Sequence, residues 1–260
     1  MSELRLPMRV RPTRMKNGEI VFQVPKRMVE KNDEIFLELQ LICKRELFGH
    51  CFRLLMPQYF ASMGCNSGVM IRGFVSSEEI LPSMTFPGDI DLLIIPYEGD
   101  ELVVSRTVVI ELKVVRATYE KQGKSPNQYG FSQATAMLEQ GFPYAAVAHL
   151  IVSDCSPEDK WRKVLATRVI NAEEGSVEEP WDIYRDMLPS DLIHRCFRRL
   201  VTNCKEPLLG LLASYMANNE TWFPDGRAAE RNPRISVQTM EAVGSYYHAH
   251  ADSFVDTPRW

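Results

Sequence analysis

The chain has 260 residues, of which 45% are hydrophobic and 25% charged, with a formal net charge of −4. That is the composition of an ordinary soluble globular protein, long enough to bury a sizeable core, and its acidity argues against a generic polyanion binder. No apolar run is long enough to cross a bilayer and no apolar segment near residue 1 would serve as a signal peptide, so the expectation is a cytoplasmic protein without a membrane partner. Six cysteines, at 43, 51, 65, 155, 196 and 204, form no Cys-x-x-Cys pair and read as reduced thiols rather than disulfides or a zinc site.

Residues 5–24 alternate loosely around Asn17-Gly18, a dipeptide suited to a tight hairpin turn, which predicts an N-terminal β-ribbon ended by Pro25. From Lys26 to Phe48 the spacing is helical, with Ile35, Leu39 and Ile42 on one face, Glu34, Glu38 and Arg45 along a solvated flank, and Gly49 as the stop. A strand follows over 65–75, interrupted by Arg72. Two further apolar strands, Gly88–Ile95 and Val108–Val115, are joined through the turn signal Glu98-Gly99-Asp100, so the three form an antiparallel meander.

Residues 117–127 read as a mobile loop. Ser125-Pro126 then opens a helix that carries Phe131, Ala134, Met137 and Leu138 on its apolar face, Gln133 at its middle and Gly141 at its end. Tyr144–Val152 is an unbroken apolar run, as in a strand covered on both faces beside a parallel neighbour. Helices are expected from Ser156 to about Leu165, from Ser190 to Val201, with Arg195, Arg198 and Arg199 as a basic stripe, and from Glu206 to Ala217. The last forty residues show too little periodicity to assign. The division expected is an N-terminal ribbon or arm at 1–27, a core at 28–170, and a mainly helical extension at 171–260 packed on that core.

Charges in the two apolar strands stand out. Asp91 lies in the first; Glu111 and Lys113, two residues apart, share one face of the second. Burying them is costly unless they are paired or bind a metal, which marks a site. A second acid-x-Lys, Glu158/Lys160, lies on a polar segment and carries no such meaning. Residues 1–31 hold eight Lys or Arg against three Glu, so +5, leaving −9 for the rest. A basic arm on an acidic body is one way to meet a phosphate backbone while keeping acidic metal ligands; a solvated hairpin is the other reading.

The order helix, strand, strand, strand, helix, strand, with Asp91, Glu111, Lys113 and Gln133 at these places, resembles the PD-(D/E)xK nuclease superfamily over about residues 28–155. The resemblance implies a mixed-sheet α/β protein with a restriction-endonuclease-like αβββαβ core, an N-terminal β-hairpin and a C-terminal helical extension. It also implies a Mg²⁺-dependent nuclease, with Mn²⁺ as a substitute, acting on DNA rather than RNA in defence, restriction or repair, as a homodimer or with a partner protein that supplies targeting. The alternative is a catalytically inactive nuclease-fold subunit that binds nucleic acid or scaffolds a larger complex. The sequence departs from the family's pattern at Pro87-Gly88-Asp89-Ile90-Asp91, where the proline is not adjacent to the acid and two aspartates compete; Asp91 is preferred and Asp89 assists.

Magnesium is hard, prefers oxygen and suits phosphodiester hydrolysis. Asp91 and Glu111 would anchor it, the Leu112 backbone carbonyl would add a third oxygen, and Lys113 would orient or deprotonate the attacking water. In the family Gln133 would support the site, and Glu34 or Glu38 would add a carboxylate. Arg72 and Lys124 are weaker candidates for contacting nucleic acid. His149 reads as a hydrogen-bonded core histidine, and His248 and His250 make no zinc site. No phosphate-binding Gly-x-x-x-x-Gly-Lys, dinucleotide or Gly-x-Ser-x-Gly motif occurs.

Overall fold

The fold is taken from a computed structural model that describes residues 3–12, 25–31, 33–82, 89–217 and 220–259. In chain order the elements are β1 (Leu6–Pro7), α1 (Glu34–Cys43), α2 (Arg45–Leu55), α3 (Pro57–Ser62), β2 (Ser67–Val75), α4 (Ser77–Ile80), β3 (Ile90–Glu98), β4 (Glu101–Leu102), β5 (Val108–Arg116), α5 (Phe131–Glu139) and β6 (Tyr144–Val152). There follow β7 (Arg162–Ala166), β8 (Val169–Asn171), β9 (Ser176–Val177), β10 (Trp181–Arg185), α6 (Leu188–Asn203), β11 (Gly210–Tyr215), β12 (Asp225–Arg227), α7 (Val237–Ala249) and β13 (Val255–Pro258).

A mixed nine-stranded sheet organises the molecule, its long run ordered β13-β2-β3-β5-β6-β11-β12, with β4 and then β1 added beside β3. The expected meander is present, β2 with β3 and β3 with β5 both antiparallel, and β6 joins β5 in parallel. Every residue of β6 is buried. Its alternation explains why: Ala145, Val147 and Ile151 enter the core under α5, α6 and α7, while Ala146, Ala148 and Leu150 enter the core under α1, α2 and α3. Each large aliphatic side chain so buried contributes about 1.5–3 kcal/mol.

Several sequence expectations are corrected. The helix over 26–48 is two helices broken at Lys44, and Gly49 lies buried inside α2 instead of stopping it. Ser125-Pro126 opens no helix; the chain stays irregular until Gly130, whose φ of +87° sets the direction from which α5 starts at Phe131. Residues 156–165 give a short 3₁₀ turn at Glu158–Lys160 and then β7, where proline and an alternating Arg-Lys-Val-Leu-Ala run prevail over the apparent cap. Residues 206–217 hold β11, parallel to β6, because Gly210 lets the backbone pack against Ala146, Leu55 and Ala229. The segment 171–260, expected to be mainly helical, thus supplies β11, β12 and β13 to the main sheet along with α6 and α7. Of the expected ribbon over 5–24, β1 pairs with β4, and the Asn17-Gly18 turn lies outside the described residues.

Between β6 and α6 the chain forms two small sheets of its own, β7 with β10 and β8 with β9. They display Leu165, Ile170 and Tyr184 to solvent. Two of the N-terminal arginines are paired within the fold: Arg5 with Glu3, Glu98 and Glu101, and Arg11 with Asp100 and Asp256.

Candidate functional site

The site begins where two strands part. β3 and β5 pair only at Leu92↔Ile110, Leu93↔Val109 and Ile94↔Val108, while β5 stays paired with β6 as far as Arg116. Past Ile110 the free edge of β5 needs another acceptor, and Leu112 N–H donates to Asp91 Oδ2 at 2.6 Å. A residue's N–H and C=O leave a strand by the same edge, so the Leu112 carbonyl faces the same gap.

Glu111 and Lys113 share the face covered by α5. Glu111 is fully buried, and its cationic partner among the described residues is Lys113. Lys113 Nζ stands 2.6 Å from Glu111 Oε1, a close ion pair, and 3.7 Å from Glu34 Oε1 in the first turn of α1. Gly130 closes the site at the start of α5. A Cβ there would lie 2.8 Å from Glu111 Cγ and 3.5 Å from Lys113 Cγ, so both the left-handed backbone and the close approach require glycine.

These charges perturb one another. Burial, then the neighbouring Glu111, pushes the Asp91 carboxyl up to about 8, against the lowering effect of the Leu112 N–H. Burial also raises Glu111, against the pull of Lys113. Burial pulls the Lys113 ammonium down, but the Glu111 carboxylate outweighs it and the net shift is upward. Glu38, expected on a solvated flank, is 1% exposed and packs over Gly73, with Oε1 lacking a hydrogen-bond partner among the described residues. Burial, then Asp91 and Glu34, pushes its carboxyl up to about 10, while the backbone of Phe74 lowers it. Phe74 itself holds a φ of 54°, a costly conformation for a bulky residue, in the stretch of β2 beside this carboxyl.

Among the residues predicted from sequence, the fold therefore brings together Asp91, Glu111, the Leu112 carbonyl, Lys113, Glu34 and Glu38. Asp89 is exposed just ahead of β3. Gln133 is half-buried in α5, one turn beyond Gly130, and makes no hydrogen bond to Asp91, Glu111 or Lys113 among the described residues. Arg72 is not displayed for nucleic acid: its guanidinium lies over Tyr246 and Phe254, with Nη1 buried. The twin motif at Glu158 is exposed, its Lys160 paired with Asp159.

Lys113 also forms part of a cleft of about 570 Å³ lined by Glu34, Lys113, Val114, Arg116 and the segment Lys124–Gln128. The loop that walls it, expected to be mobile, is tied from behind by α6. Arg195 Nη1 donates to Gln122 Oε1 at 2.7 Å and Arg199 Nη2 to the Lys124 carbonyl at 2.7 Å. His149 is a core histidine as expected, with Nε2 on the Tyr129 carbonyl at 3.2 Å and Nδ1 on Cys196 Sγ at 3.4 Å. It steadies the residue before Gly130. Sequence reading missed these braces; the arginine spacing on α6 was visible, but its targets lie some seventy residues away.

The donor set suits a hard divalent cation: two carboxylates and a backbone carbonyl lie together, and the Glu111 carboxylate is fully buried beside the Lys113 ammonium. Among the described residues no three His, Cys, Asp or Glu side chains stand together as a ready-made cage. No protein-family profile, no curated protein and no solved structure matches the chain.

Proposed function

We propose that the protein is a Mg²⁺-dependent nuclease with a restriction-endonuclease-like αβββαβ core, and that DNA is the substrate to test before RNA. The carrying observation is the meeting of Asp91, Glu111 and Lys113 where β3 and β5 part, with the Glu111 carboxylate fully buried beside the Lys113 ammonium. Asp91, Glu111 and the Leu112 carbonyl would hold the ion, which when bound lowers the pKa of water and offsets charge on phosphate. Leu112 N–H fixes the Asp91 carboxylate in place. Lys113 lies in the cleft beside the pair, where its ammonium can orient an attacking water and offset charge that develops on the phosphate oxygens. Gly130 keeps the start of α5 against Glu111 and so excludes bulk water from that side.

Incubation with linear, circular and single-stranded DNA and with RNA, in Mg²⁺, Mn²⁺ and EDTA, reads activity and substrate together. Expected is metal-dependent cleavage that falls by about 10²-fold or more in Glu111→Ala and Lys113→Ala, with circular dichroism unchanged. Undiminished cleavage by either folded variant overturns the assignment. If no cation binds and no nucleic acid is cut, the chain is instead a nuclease-fold binding or scaffolding subunit.

A further inference from the structure

We propose that His149 is a positioning residue for the Glu111 carboxylate: a buried brace running from Cys196 of α6 through His149 of β6 to the Tyr129 carbonyl fixes the turn at Gly130, which packs on Glu111. With that carboxylate as the cation ligand proposed above, the brace sets how tightly a divalent ion is held. His149 and Cys196 are both buried. His149 Nε2 lies 3.2 Å from the Tyr129 carbonyl oxygen, and its Nδ1 lies 3.4 Å from Cys196 Sγ.

These partners assign the protons. A carbonyl oxygen only accepts, so Nε2 carries the hydrogen; the neutral ring then offers Nδ1 as an acceptor, and the Cys196 thiol donates to it. Burial pulls the pKa of His149 down to about 4, which leaves the ring neutral at pH 7. Neutrality has a purpose at this position. In the parallel register of β5 and β6, His149 stands opposite Lys113 on the same face of the sheet. A lysine or arginine here could also donate to Tyr129, but it would set a second cation beside the ammonium that pairs with Glu111.

The Tyr129 carbonyl carries the effect forward. It shares one rigid peptide plane with the Gly130 nitrogen, so holding the oxygen holds the plane about which Gly130 takes its φ of +87°. Gly130 meets both neighbours of interest. A Cβ on it would lie 2.8 Å from Glu111 Cγ, and its carbonyl accepts the Ala134 N–H at 3.1 Å in the first turn of α5. The Tyr129 ring adds packing on either side, stacked on Phe131 at 5.3 Å and tilted over His149 at 5.6 Å between ring centroids.

Three measurements at pH 7 test the proposal. Long-range ¹H–¹⁵N correlation on the wild type reads the tautomer: Nε2–H is expected, and an Nδ1–H ring overturns the proposal without need of a variant. Hydrogen exchange reads the turn. In His149→Phe the Ala134 amide should exchange about tenfold faster, beyond any change at the Val103 amide that bonds to Pro96, and His149→Gln, whose amide nitrogen takes the place of Nε2, should restore it. Mn²⁺ titration followed by electron paramagnetic resonance reads the carboxylate: affinity should fall about tenfold in His149→Phe and return in His149→Gln. Unchanged exchange at Ala134 in His149→Phe, or no rescue by glutamine, overturns the proposal. The expected tautomer and exchange in a wild type that binds no Mn²⁺ leave the brace standing and remove the cation reading. Mn²⁺ bound equally by wild type and His149→Phe does the reverse.

Discussion

Replacing Glu38 by glutamine should stabilise the protein at neutral pH, although it removes a charge-bearing group beside the proposed site. The folded pKa is pushed up to about 10 from an ordinary value of 4.5, because the carboxyl is buried and faces Asp91 and Glu34. A raised carboxyl pKa means the folded state holds the proton while the unfolded chain has released it. Stability from this group is full below pH 4.5 and declines as pH rises through that window towards 10. Each pH unit costs about 1.4 kcal/mol, so keeping Glu38 protonated at pH 7 costs about 3 kcal/mol. Glutamine matches the neutral acid in shape and never titrates. Urea unfolding of the wild type and Glu38→Gln in EDTA, at pH 5, 6, 7 and 8, should therefore show an advantage to the variant that grows with pH, reaching about 3 kcal/mol at pH 7. A difference that stays flat between pH 5 and 8, or a variant less stable than wild type at pH 7, refutes the reasoning.

Gly130→Ala should destabilise by about 2 kcal/mol, from the left-handed backbone and the contact with Glu111, read as a lowered melting temperature. His149 is pushed down to about 4 by burial, so the stability it supports is present above pH 6.5 and lost as pH falls towards 4. The stability deficit of His149→Phe relative to wild type should then shrink by about 2 kcal/mol between pH 7 and 4.5 in denaturant titrations. Iodoacetamide on the native protein should label Cys43, Cys65 and Cys155, which are exposed, and spare Cys51 and Cys196, which are buried, with thiols pushed up to about 12 and about 11. Equal labelling of all five by mass spectrometry would contradict the packing around β6 and β11.

The proposed site was legible because its residues break a pattern: Asp91, Glu111 and Lys113 are charges in runs where aliphatic side chains belong, and period-two alternation alone puts Glu111 beside Lys113. β6 was legible for the opposite reason, an unbroken apolar run. β11 shows the limit of that signal. Leu208 to Ala213 is also an apolar run, and a helix and a doubly covered strand share that appearance; what decides is the parallel register with β6, a contact about sixty residues distant. Glu38 was hidden likewise, since its helical spacing looks solvated until Gly73 and Phe74 of β2 close over it. The Ser125-Pro126 signal failed because the turn at Gly130 and the contacts of Arg199 and Tyr129 hold that segment irregular.

β2 receives its outer neighbour from the far end of the sequence, Val255 to Pro258 pairing with Gly68 to Ile71. During synthesis, β2 therefore waits with an open hydrogen-bonding edge of apolar residues until residues 255–258 have emerged. Such an edge is a template for the wrong strand, from another nascent chain or from β3 out of register. A chain that reached residue 130 but stopped short of residue 255 would carry Asp91, Glu111, Lys113 and Gly130 and still be prone to aggregate. The edge of β2 is thus closed by a strand that lies nearly two hundred residues away in sequence.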